Sequence, residues 1–200
     1  MPAFDELIRE VHECTRCTLS RKRTNAVPGE GSLDADIMFV GEAPGYYEDR
    51  DGRPFVGRAG QLLDELLASI GLKREEVYIA NLLKCRPPNN RDPLPGEIEA
   101  CRPYLDRQIE MIAPRIVVML GRFAFLRFFP GETIGKARGK PRKWNDMIAY
   151  PVYHPAAALR NSALRTTLED DFRNLQVLLD RGAQVSEKPD DELTEQLSFF

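Results

Sequence analysis

Four short apolar runs, each followed by a segment of helical period, constrain this chain more than any other feature. They are Asp36–Val40, Val77–Leu83, Arg115–Leu120 and Met147–Tyr153. Runs this short and continuously apolar, bounded by glycine, proline and asparagine, fit strands covered on both faces. Between them Leu62, Leu63, Leu66, Leu67 and Ile70 share one helical face that Gly71 ends, as glycine does when it caps a helix. Gly96–Ile112, Gly121–Phe129 and Ala163–Asp180 predict further helices, and Phe4–His12 a short leading one. Strand and helix thus alternate four times, which predicts a parallel sheet with helices on both sides. A chain of 200 residues buries enough surface for one such domain without cysteine staples.

In open sheets of this kind the ligand site lies beyond the carboxyl ends of the strands. Three chemically unusual segments follow strand ends here: Gly41-Glu42-Ala43-Pro44-Gly45, Asn81 with the residues after it, and His154-Pro155. The predicted topology gathers them on one rim.

Cys14 and Cys17 form a C-x2-C pair, and Cys85 and Cys101 follow far along the chain. Without a secretion signal, four cysteines favour metal or redox chemistry over disulfides. A C-x2-C turn aims two thiolates at one centre, and two more must come from elsewhere in the fold. Zinc and [4Fe–4S] both accept that set, and spacing does not choose between them. His12, just before the pair, reads as a neighbour of the centre rather than a ligand.

Four blocks now carry a resemblance: Gly41–Gly45, Gly52-Arg53-Pro54-Phe55-Val56-Gly57-Arg58-Ala59-Gly60, Asn81-Leu82-Leu83-Lys84-Cys85-Arg86-Pro87-Pro88 and His154-Pro155-Ala156-Ala157. In this order, with the four cysteines, they resemble the family 4 uracil-DNA glycosylases, the iron–sulfur members of their superfamily. The likeness runs from about Cys14 to Asp180. It implies a three-layer α/β/α sandwich around a four-stranded parallel sheet. It also implies a structural [4Fe–4S] cluster on Cys14, Cys17, Cys85 and Cys101, and excision of uracil from DNA. A related branch that traps its product carries a basic insertion with a histidine after the second-strand motif. Here that place reads Arg86–Arg91 without histidine, so turnover is expected.

Uracil excision asks for a flipped nucleotide, a reader of its edge, and stabilisation of a departing anion. The resemblance gives His154 as the donor to uracil O2, where charge develops. Asn81 is suited to O4 and N3, because one amide is both donor and acceptor. Phe55 is placed to stack on the base, and Glu42 to hold or activate water. The Gly41 and Ala43 main chain is expected against the base, where small residues permit close approach. Glu48 matches a position that crowds C5 against thymine, although Tyr46 and Tyr47 just before it depart from the family pattern. Leu159 or Arg160 is the expected wedge into the gap left in DNA.

The net charge is −3, but five acids against Lys188 give Gln184–Phe200 a charge of −4, leaving the rest near +1. Arg122, Arg127, Lys136, Arg138, Lys140, Arg142 and Lys143 meet only Glu132 within their stretch, a candidate phosphate-facing patch. Residues 1–182 are expected to form the domain and 183–200 a disordered acidic tail. The tail's final Gln196-Leu197-Ser198-Phe199-Phe200 resembles the motif by which bacterial repair proteins bind the replication sliding clamp. No apolar run approaches a membrane span, and Met1–Glu10 is too acidic for a secretory signal. A cytoplasmic monomer is expected. Two rival readings are a zinc-stabilised nucleic-acid-binding module without catalysis and an iron–sulfur electron carrier. The bunched cysteines usual in the latter are missing here.

Overall fold

The computed structural model describes residues 2–185; the clamp-like motif at 196–200 lies outside them. Six strands form one sheet: β1 (Glu30–Gly31), β2 (Ile37–Gly41), β3 (Tyr78–Asn81), β4 (Ile116–Leu120), β5 (Arg142–Trp144) and β6 (Met147–Val152), in the order β1-β3-β2-β4-β6-β5. The four predicted strands are the parallel centre, β3-β2-β4-β6. The sheet is wider than the expected four: β1 and β5 add short antiparallel edges. Both are half-covered pieces of two or three residues, too short to carry a period.

Eight α-helices accompany the sheet among the described residues: α1 (Pro2–Glu13), α2 (Tyr46–Asp51), α3 (Arg58–Ser69), α4 (Pro95–Ile112), α5 (Arg122–Phe128), α6 (Ile134–Ala137), α7 (Pro155–Ala158) and α8 (Ser162–Val185). Successive strand residues point to opposite faces, and β2 shows the result. Met38 and Val40 join one core with Phe4, Leu7, Leu105, Ile109 and Phe125 from α1, α4 and α5. Ile37 and Phe39 join the other with Leu63, Leu66 and Leu67 of α3 and Leu168, Phe172 and Leu175 of α8. Phe39 stacks on Phe172 with centroids 5.8 Å apart. Leu63 is fully buried there, so Leu63→Ala would cost about 2–5 kcal/mol and loosen the helix that backs Phe55.

From β2 the chain passes to β3 on one side and then to β4 on the other. The crevice at such a reversal is where open sheets bind ligands. Among the described residues no helix is long and apolar enough to cross a membrane.

Candidate active site

A cavity of about 440 Å³ opens at the carboxyl ends of β2, β3 and β6. Glu42, Ala43, Glu48, Phe55, Asn81 and His154 all line it. Gly41 pairs with Asn81 in register across β2 and β3, and a Cβ on Gly41 would lie 2.3 Å from Asn81 Oδ1 and 2.6 Å from Phe55 Cζ. The bare Gly41 backbone is therefore what lets the amide and the ring meet. All seven residues predicted for base and water chemistry come together here: six line the cavity, and Gly41 lies against Asn81 and Phe55.

Asn81 is buried, and its Oδ1 has no hydrogen-bond partner. An unpaired buried acceptor costs roughly 1–3 kcal/mol, so it marks a place where a ligand donor belongs. The Asn81 main chain is held from behind. Lys84, itself buried, donates from Nζ to the Asn81 carbonyl at 2.8 Å and to Gln108 Oε1 at 2.6 Å.

His154 caps the first turn of α7. Its Nδ1 accepts from the Ala156 N–H at 3.1 Å. That bond leaves the ring proton on Nε2 and makes Nε2 a donor. Burial pushes the imidazole down to about 4, against a weaker opposing pull from Glu48, so the ring is neutral at pH 7. It stacks near Phe55, with centroids 5.6 Å apart and planes 24° from parallel. Gly121 backs it: a Cβ there would meet His154 Cβ at 2.9 Å, and its φ of +91° lies where L side chains are strained.

Phe55 is buried and itself takes a positive φ of 52°. Strain of that kind persists only where neighbours enforce it. Two neighbours do so. A Cβ on Gly60 would stand 1.7 Å from the Phe55 carbonyl oxygen. The Glu48 carboxylate accepts the Val56 and Gly57 N–H groups at 2.9 and 2.8 Å, and the Gly45 N–H at 3.1 Å. Glu48 thus lines the cavity while tying both cavity loops together.

Glu42 is half-buried. Burial raises its pKa, the Asp92 carboxylate raises it further, and Arg122 opposes both. Arg122 and Asp92 are themselves paired at 2.8 Å. Sequence reasoning missed Pro87, Asn90 and Arg91, which also line the cavity. Left-handed Asn89 and Asn90, at φ 55° and 53°, turn this segment back over the mouth, and the Asn-Asn pair was the available signal. Arg91 is held by two bonds to Glu97, at 2.6 and 2.9 Å. Arg160 lines the cavity, and Leu159 is partly exposed beside it.

The basic stretch is partly paired. Arg122, Arg127, Arg138 and Arg142 pair with Asp92, Asp106, Asp171 and Glu132. Three of those acids lie outside the stretch, so folding offsets part of its excess of charge.

None of the four cysteines forms a disulfide. Burial pushes the Cys85 thiol up, and the Cys17 and Cys14 thiols push it further. Cys101 is pushed up to about 11, chiefly by burial and partly by Cys85 and Cys14. All four are therefore neighbours. Among the described residues no three His, Cys, Asp or Glu side chains close on one point as ligands of a single ion do. N–H donors already face the sulfurs: Arg23 Nη1 to Cys85 at 3.1 Å, the Lys84 amide to Cys101 at 3.2 Å and the Arg16 amide to Cys14 at 3.5 Å.

The uracil DNA glycosylase superfamily model matches residues 28–176. The chain belongs to the uracil-DNA glycosylase superfamily. A type-4 uracil-DNA glycosylase of Sulfurisphaera tokodaii is 52% identical over 188 residues, covering 89% of this chain and 86% of its own length. One from Archaeoglobus fulgidus is 50% identical over 184 residues, 88% and 92% of the two chains. One from Thermotoga maritima is 51% identical over 172 residues, 82% and 90%. A type-5 enzyme of Pyrobaculum aerophilum is 30% identical over 200 residues. Within its superfamily the chain thus groups with the type-4 glycosylases.

Proposed function

We propose that this glycosylase takes a uracil nucleotide extruded from DNA into the cavity and hydrolyses its N-glycosidic bond. Free uracil and an abasic site are the products. The observation that carries the reading is the buried, unpaired Asn81 Oδ1 beside Gly41 and Phe55. Uracil presents N3–H to that oxygen and O4 to the Asn81 amide N–H. Cytosine reverses both, leaving acceptor against acceptor at N3 and donor against donor at the 4-position.

As the bond to the sugar breaks, electrons move onto the base and O2 gains negative charge. The neutral His154 ring donates from Nε2 to O2. A donor aimed at such an oxygen is worth about 2.7–4 kcal/mol. Phe55 stacks on the base, and the Gly41 and Ala43 backbone closes on its edge. Glu42 holds the attacking water and accepts its proton while its negative charge favours the cationic sugar. Glu48 fixes the loop that carries Phe55 and limits room near C5. Leu159 or Arg160 fills the space left in the duplex.

An all-sulfur donor set spread over several thiols, with N–H groups already facing the sulfurs, fits an iron–sulfur cluster on Cys14, Cys17, Cys85 and Cys101. When bound, such a cluster supplies cross-linking between the segment after α1, helix α4 and the segment after β3. Residues 1–182 act as the catalytic domain of a cytoplasmic monomer. The tail from 183 carries a clamp-binding motif at Gln196–Phe200, and its removal would abolish clamp binding while sparing excision.

The deciding experiment is incubation of the protein with a duplex holding one U·G pair, followed by alkali. Strand scission at that position supports the reading, and Asn81→Leu should lose it. An intact strand with the wild-type protein would overturn it.

A further inference from the structure

Tyr46 and Tyr47 are the two most exposed tyrosines among the large hydrophobic side chains described, at 56% and 50%. They lie on α2 between Gly45 and Glu48, both cavity-lining residues. Their rings meet edge to face with centroids 5.4 Å apart. The Tyr47 ring is also positioned against Gly57: a Cβ on that glycine would come within 3.4 Å of it. The pair is therefore propped rather than free.

The Arg86 guanidinium sits over the Tyr46 ring at 5.2 Å and donates from Nε to Asn90 Oδ1 at 2.7 Å. Asn90 and Pro87 line the cavity from the opposite loop. Tyr46, Arg86 and Asn90 thus span from α2 to the segment after β3 along one edge of the mouth. Arg50 lies over Tyr47 but is paired with Asp51 at 2.5 Å. Among the described residues no carboxylate pairs with Arg86, so its charge is available. An exposed aromatic face beside a free guanidinium is the arrangement that binds an unpaired nucleotide, base on ring and phosphate on cation.

We infer that Tyr46 and Arg86 form a subsite for the DNA nucleotide next to the extruded uracil, one whose base is unpaired. The inference rests on the reading of the cavity as a uracil site. A base in a duplex keeps its faces covered by its neighbours, whereas a base in a single strand offers one. The subsite therefore favours uracil in single-stranded or locally opened DNA over uracil in a closed duplex.

The test uses the full protein with dU-containing single strands and duplexes. 2-Aminopurine is placed on the 5′ or the 3′ side of dU, one at a time. Stacking on Tyr46 should quench its fluorescence at one of the two positions. Tyr46→Leu should abolish that quenching and raise KM for the single strand about 5- to 100-fold, with a smaller rise for the duplex. Tyr46→Phe should keep both, since the ring is what is used. Arg86→Gln should raise KM and flatten its salt dependence. If Tyr46→Leu binds single strands with unchanged quenching and KM, the subsite does not exist. Quenching needs binding only, so it decides the subsite even if the wild-type protein released no uracil. That second outcome would instead overturn the reading of the cavity.

Discussion

Glu48→Gln tests the loop clamp most directly. The parent carboxylate accepts two N–H groups on Oε1, from Val56 and Gly57, and one on Oε2, from Gly45. Glutamine has one acceptor atom. In its better orientation the amide oxygen keeps Val56 and Gly57, and the NH2 group confronts the Gly45 N–H. One charge-assisted bond is lost outright and two become neutral. Hydrogen bonds to charged groups contribute about 1.5–3 kcal/mol and neutral ones about 0.5–1.5. The loss is then roughly 3.5–6 kcal/mol, about halved to roughly 2–3 because the group is half-exposed to solvent. For a chain of this size that lowers Tm by roughly 4–12 °C. The freed loop no longer enforces the positive φ of Phe55, so KM for uracil-containing DNA should rise. Thermal melting followed by steady-state uracil release measures both. A melt that coincides with the parent's, together with an unchanged KM, would refute the clamp.

Gly41→Ala places a methyl 2.3 Å from Asn81 Oδ1. Overpacking of that kind costs about 1–3 kcal/mol, so kcat/KM should fall about 5- to 100-fold while the fold survives, as circular dichroism would check. Because His154 is pushed down to about 4, the neutral donor persists well below pH 6, and the acid limb of kcat/KM assigned to it lies near pH 4. The same shift has a stability consequence. Between its ordinary value of 6.5 and about 4, the unfolded chain binds more protons than the native one, so stability falls as pH drops through that window. Urea unfolding at pH 7 and pH 4.5, compared between the parent and His154→Gln, measures it. Protein purified without oxygen should be brown and contain iron and sulfide. Cys101→Ala should lose the colour and melt earlier, whereas colourless wild-type protein with bound zinc would favour a single-ion site.

The four central strands and the rim residues after them were legible because each strand is covered on both faces and each functional segment begins where an apolar run stops. Asn81 shows the limit of that logic. The apolar run continues to Leu83, yet the strand ends at Asn81. Leu82 and Leu83 donate instead to the carbonyls of Gly41 and Glu42, at 3.0 and 3.1 Å. Hydrophobicity alone does not separate a strand residue from a buried loop residue. The basic stretch misleads for another reason. Its partners Asp92, Asp106 and Asp171 are distant in sequence and reach it only through the fold. Arg91 was hidden in a proline- and asparagine-rich loop whose path is set by two left-handed residues, a property of the backbone rather than of composition.

Asn81 and Cys85 are separated by three residues, and the middle of that stretch is spanned by Lys84 reaching back to the Asn81 carbonyl while its own amide faces Cys101. The segment therefore behaves as a ruler with two fixed marks. With the roles proposed above, a single insertion or deletion within it would displace the amide assigned to base discrimination and the thiol assigned to the cluster in one stroke. On that reading the distance between the marks is shared by recognition and by scaffold, so neither can be retuned in length without the other.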